Sequence, residues 1–101
     1  MEQYELAEIL IRSAQRQNWQ LTFAEAQLVV VTEMGSRLWY LDVNGIGDEE
    51  LLQHFYTAEE IGIELELITI GGKHLSGSGY LHANPRHQAA AIRGDGEIAG
   101  L

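Results

Sequence analysis

The chain has 101 residues, 46% of them hydrophobic, with 15 carboxylates against six Lys and Arg and no cysteine. That length points to one domain spanning residues 1–101, with a single modest core. The missing cysteine excludes a disulfide framework, a thiolate nucleophile and a Cys-based zinc site, and a net charge of −9 argues against nucleic acid backbones and anionic membrane surfaces.

The sequence opens Met-Glu-Gln-Tyr-Glu, without the basic and then apolar segments of a secretory signal. No apolar run approaches the roughly 20 residues that span a bilayer. The expectation is a soluble, cytoplasmic protein.

Residues 2–17 read as an amphipathic helix. Leu6, Ile9, Leu10 and Ser13 recur at helical spacing, and Ala7, Ile11 and Ala14 widen the stripe. Glu2, Glu5 and Glu8 come early and Arg12 and Arg16 late, as the helix dipole favours. From Trp19 to Phe23 the period shifts toward two, suggesting a strand, although Thr22-Phe-Ala-Glu25 also fits a capping box. Leu28–Thr32 and Leu38–Val43 read as strands joined by a hairpin across Glu33–Ser36.

Asn44-Gly-Ile-Gly47 breaks the sheet, and Asp48 is placed to cap a second helix with Leu51, Leu52, Phe55 and Tyr56 on its apolar face. That helix is expected to run toward Ile61, with Gly62 ending it. Ile61, Ile63, Leu65 and Leu67 then alternate with Glu64 and Glu66, the pattern of a half-exposed strand. Ile68 and Ile70 change phase, which suggests a bulge or a fully buried end. Gly71–Gly79 reads as a mobile loop, Tyr80–Ala83 as a strand, Asn84–His87 as a turn and Ala89–Arg93 as a strand, with Gly94-Asp-Gly96 turning the chain again. The expected fold is α+β: an antiparallel sheet of about five or six strands, an N-terminal helix and a second helix in mid-chain.

The catalytic and metal patterns each fail on a required residue. Asp42-Val-Asn44-Gly-Ile-Gly47 begins like a calcium loop, but Ile46 supplies no side-chain oxygen and Gln53 stands where a bidentate Glu is needed. Gly71-Gly-Lys73 lacks the spacing of a phosphate loop, and Ser78 lacks the flanks of a nucleophile elbow. His74, His82 and His87 are imidazoles that could hold zinc, copper or nickel if folding gathers them.

Charge is the most uneven property of the chain. Between Arg37 and Lys73 there is no basic residue but there are eight carboxylates: Asp42, Asp48, Glu49, Glu50, Glu59, Glu60, Glu64 and Glu66. Helix capping accounts for those around Asp48, which leaves Glu59, Glu60, Glu64 and Glu66 as candidates for a partner-facing surface. Trp19 and Tyr80 border polar sequence and would form an aromatic interaction patch if exposed together. Trp39, Tyr40 and Phe55 sit in apolar segments and read as core. Residues 28–43 and 61–70 are apolar at more positions than one small sheet needs, which suggests a subunit interface.

The sequence therefore points to a small acidic, non-enzymatic binding module with no cofactor, self-associating as a homodimer or meeting a basic protein. The alternative is a metal-assisted hydrolase or isomerase using His74, His82 and His87.

Overall fold

In the computed structural model, which describes residues 1–101, the chain is 62% strand and 12% helical, and its strands close into a six-stranded barrel. The elements run β1 (Glu2–Ser13), β2 (Asn18–Gln20), β3 (Glu25–Glu33), β4 (Ser36–Asn44), α1 (Glu49–Thr57), β5 (Gly62–Thr69), β6 (His74–Asn84), a 3₁₀ turn (Pro85–His87) and β7 (Ala89–Ala99). All pairings are antiparallel, in the order β1-β3-β4-β7-β6-β5, and β5 returns to β1. The α+β expectation, with two helices on an open sheet, is thereby corrected.

Closure depends on the length of β1. Its first residues, Glu2–Glu5, pair with β3, and Leu6–Ser13 pair with β5, so one strand joins both sides of the sheet. Where β3 has left, the short β2 takes its place beside Leu10–Arg12.

The N-terminal segment is a strand rather than a helix because of a bulge. The β1–β5 register skips Ala7 between Leu6 and Glu8, which moves the inward set from Leu6 to Ile9, Ile11 and Ser13. One extra residue in a period of two gives a spacing of three, which imitates a helical stripe. Leu10, counted as part of that stripe, faces outward and is 42% exposed.

Side chains fill the barrel, as expected for one this narrow. Leu28, Leu41, Val43, Leu65, Leu67, Leu81 and Ile92 project inward and are essentially inaccessible. Trp39 is the largest inward group. Its indole Nε1 donates to the Gly96 carbonyl at 3.0 Å. Its ring lies where side chains on β6 and β7 would otherwise stand: a Cβ on Gly77 would lie 3.0 Å from Cζ2, and a Cβ on Gly94 would lie 2.3 Å from Cε2. This is why Gly71–Gly79 is largely strand rather than loop, and why β7 runs through Gly94 instead of turning there.

The helix closes one end of the barrel. Asp48 caps it, accepting the Leu51 N–H at 3.0 Å, and Glu49 and Glu50 occupy its first turn. Leu51, Leu52 and Phe55 are buried in the core together with Ile46 from the preceding loop. Tyr56, expected on the same face, is 66% exposed. The helix stops at Thr57, short of Ile61, and Gly62 begins β5 instead of ending α1. No helix is long and apolar enough to cross a membrane.

Gly94 has a negative φ that any residue can adopt, so its restriction is spatial. Gly94→Ala is expected to lower stability by about 2 kcal/mol or more through overpacking. Ser76→Ala, on the outer face of β6, should stay within about 0.5 kcal/mol. Urea unfolding midpoints of the two variants check this.

Candidate interaction surface

Because inward and outward residues alternate along each strand, the filled interior dictates what the outside presents. With Trp39, Leu41 and Val43 inside, Leu38, Tyr40 and Asp42 must face out. Across the strands, Val29 pairs with Tyr40, Tyr40 with Arg93, and Arg93 with Tyr80. Neighbouring strands lie about 4.8 Å apart, so this row crosses β3, β4, β7 and β6 in roughly 15 Å.

The row is chemically distinct from the rest of the barrel. Val29 faces outward yet is only 3% exposed, between its register partners Gln3 and Tyr40. Tyr40 is 41% exposed and Leu38, one pleat along, is 54% exposed. The Arg93 guanidinium lies 5.4 Å from the Tyr80 ring centroid, a cation–π contact. The Tyr80 hydroxyl donates to Asp95 Oδ2 at 3.3 Å. Tyr and Arg are the residue types most enriched where binding energy concentrates at interfaces. Arg93 has no carboxylate within ion-pair distance in its own chain, the one such pair being Arg12–Glu64 at 3.8 Å.

Of the residues singled out from sequence, Tyr80 belongs to this row, and with Asp95 it borders a groove that Glu60 and Glu64 also line. Glu59 and Glu60 lie in the connection between α1 and β5, and Glu64 and Glu66 face outward on β5. Glu60, Glu64 and Tyr80 line one shallow groove together with Arg12 and Arg16, while Trp19, Glu64 and Glu66 line the adjoining one. Arg12 and Arg16 stand beside Glu60, Glu64 and Asp95 in the first groove, and Arg12 beside Glu64 and Glu66 in the second, so positive charge interrupts the carboxylates there.

Trp19 and Tyr80 do not form a joint patch, since each is half-buried in a different setting. The Trp19 ring packs 5.5 Å from both His54 and Phe55 and fastens β2 to the helix. The Tyr80 ring, by contrast, lies under Arg93. Tyr40, read as core, belongs to the outer surface together with Leu38 and Arg93. The signal for this is present in the sequence: adjacent strand residues point to opposite faces, so Trp39 and Tyr40 cannot both be internal.

The histidines do not converge. His74 begins β6 opposite Ile68, His82 faces outward opposite Ala91, and His87 lies in the 3₁₀ turn. His82 lies eight residue steps along β6 from His74, roughly 26 Å at 3.3 Å per step. Nowhere do three or more His, Asp or Glu side chains stand together as a metal site would need. Ser76 and Ser78 are outward strand residues, opposite Glu66 and Glu64. At the hairpin end of the barrel, the Tyr4 hydroxyl donates to Glu2 at 2.9 Å, and this bond holds the phenol's pKa above its ordinary value.

No family model, curated protein or solved structure matches this chain. The functional reading therefore rests on the surface itself. Protein purified without an affinity tag should carry transition metal well below one equivalent, and a chelator should leave its melting temperature unchanged. Elemental analysis with paired thermal melts tests both.

Proposed function

We propose that this chain is a non-enzymatic interaction module that self-associates as a homodimer through the outer face of β4, β7 and β6. The observation that carries the reading is the outward exposure of Leu38 and Tyr40 on a barrel already filled by other side chains. These two residues gain nothing further from their own fold, and a second copy would remove them from water at about 25 cal/mol per Å² of apolar area.

Composition supports the same face. Leu38, Tyr40, Arg93 and Tyr80 combine apolar, aromatic and guanidinium groups, the mixture favoured in the buried centre of interfaces. Charge supports it as well. Two molecules of net charge −9 repel at most approaches, whereas the outward residues Arg93 and Asp95 balance each other. A standard interface covers about 800 Å² per partner, a small part of the 6289 Å² surface of one copy.

Docking onto a basic protein is the weaker reading, because Arg12 and Arg16 stand among the glutamates that would carry it. A metal-assisted hydrolase or isomerase has no gathered histidines to draw on. We assign the module to the cytoplasm within this proposal, on the strength of its cysteine-free composition.

Sedimentation equilibrium is expected to give twice the 11.3 kDa chain mass at micromolar concentrations. Leu38→Glu should shift the protein to monomer, while at dilutions where both proteins are monomeric its unfolding free energy should stay within about 0.5 kcal/mol of wild type, since the site is exposed. A wild-type protein that stays at 11.3 kDa up to near-millimolar concentration would overturn the proposal.

A further inference from the structure

Arg93 and Asp95 sit on either side of Gly94, both on the outer face of β7. Their register partners on β6, Tyr80 and Ser78, are outward residues too. Gly94 itself points inward, against the Trp39 ring. The outer surface thus shows a cation and an anion two residues apart, with no side chain between them. Neither charge is in an ion pair within the chain.

We propose that a second copy docks across a two-fold axis beside Gly94, so that Arg93 of each protomer meets Asp95 of the other. The inference rests on the homodimer reading and specifies how the two faces recognise one another.

An isologous interface brings the same patch of both subunits together, so every contact occurs twice and the patch must complement itself. A face bearing only carboxylates fails that condition, and in the whole chain 15 carboxylates stand against six Lys and Arg. A cation and an anion at equal distances from the axis satisfy it: rotation by half a turn exchanges their positions, producing two identical ion pairs. Tyr80 supports the arrangement by holding both groups. Its ring lies beneath the Arg93 guanidinium, and its hydroxyl bonds to Asp95. The charged heads are therefore oriented before association, which lowers the ordering cost of bringing them together.

The surroundings fit a desolvated pair. Tyr40 is the register partner of Arg93 on β4, and Leu38 lies one pleat further along. When two such faces meet, these apolar groups keep water from the ion pairs, and charges so shielded act mainly on orientation and choice of partner.

The test is a charge exchange read by sedimentation velocity. Arg93→Glu and Asp95→Arg should each weaken dimerisation by about tenfold or more, since each sets like charges against one another across the axis. An equimolar mixture of the two should recover dimers. In the mixed dimer the carboxylate introduced at position 93 of one variant meets the guanidinium introduced at position 95 of the other, while the native Asp95 and Arg93 form the second pair. Recovery also shows that both variants are folded. Arg93→Gln and Asp95→Asn, which remove charge without reversing it, should weaken association less than the reversals and recover only in part on mixing, since the mixed dimer regains one native Asp95–Arg93 pair. If wild type dimerises and Leu38→Glu abolishes this while both charge variants stay dimeric, the axis is elsewhere and this inference falls with the homodimer reading intact. Two monomeric variants that stay monomeric when mixed overturn it equally, and a monomeric wild type overturns both.

Discussion

The Trp39 indole against the bare backbone of β6 and β7 is the contact on which the rest of this barrel depends. A six-stranded barrel has little interior space, and an indole is the largest group that could be put there. It fits because the facing strands supply Gly77 and Gly94 where side chains would otherwise project. Its polar N–H is not left bare, since the Gly96 carbonyl accepts it at 3.0 Å. An unpaired indole N–H would cost on the order of 1–3 kcal/mol. Gly96 can turn its carbonyl that way because the β6–β7 register shifts there, where four residues of β7 advance against two of β6 and Gly96 takes φ +79. The bulge, the glycines and the tryptophan are one solution to one packing problem.

That internal solution determines the external surface. Strand alternation gives Trp39 inward neighbours at Leu41 and Val43 and forces Tyr40 and Leu38 outward. It likewise directs Gly94 inward and leaves Arg93 and Asp95 as an isolated pair outside. The opposite end of the barrel is organised by a different device. There, α1 supplies Leu51, Leu52 and Phe55 as a plug, and Trp19 clamps the helix against β2. The helix end buries Leu51, Leu52 and Phe55 and leaves Tyr56 exposed, while the strands around Leu38 leave Leu38 and Tyr40 uncovered side by side with Arg93.

The sequence is legible where a single rule decides the outcome. The β3–β4 hairpin, the Asp48 cap and the alternation of Glu64 and Glu66 with Ile63, Leu65 and Leu67 all follow from local chemistry, and all are present. The failures have one cause each. At β1, a bulge at Ala7 converts a period of two into an apparent helical spacing, and only pairing with β5 reveals it. At residues 71–79, glycine suggests a loop. Yet Gly77 marks room reserved for the indole of β4, and Gly79 marks the close approach of the Arg93 carbonyl on β7. Neither pattern is visible in a local window, because the partner that explains it is remote. The candidate surface falls between these cases. Tyr80 is accessible to sequence reasoning through its polar flanks, whereas Tyr40 and Arg93 join it only once β4, β7 and β6 are known to be neighbours.

Barrel closure also changes the meaning of the acidic stretch. Read along the chain, eight carboxylates without a cation suggest one charged face. In the fold, the segment from β4 through α1 to β5 crosses the end of the barrel and ends beside β1. Asp42 therefore lies on the wall that includes β7, Asp48–Glu50 begin the capping helix, and Glu64 and Glu66 lie on the wall closed by β1. Arg12 reaches Glu64 there, an exposed pair worth little to stability but enough to moderate the local potential. A charge spread in this way discourages close approach from many directions without selecting a partner. Selection then falls to a place where apolar surface and opposed charges coincide. The row from Tyr40 to Tyr80, with Leu38 beside it and Asp95 within reach of Tyr80, has both.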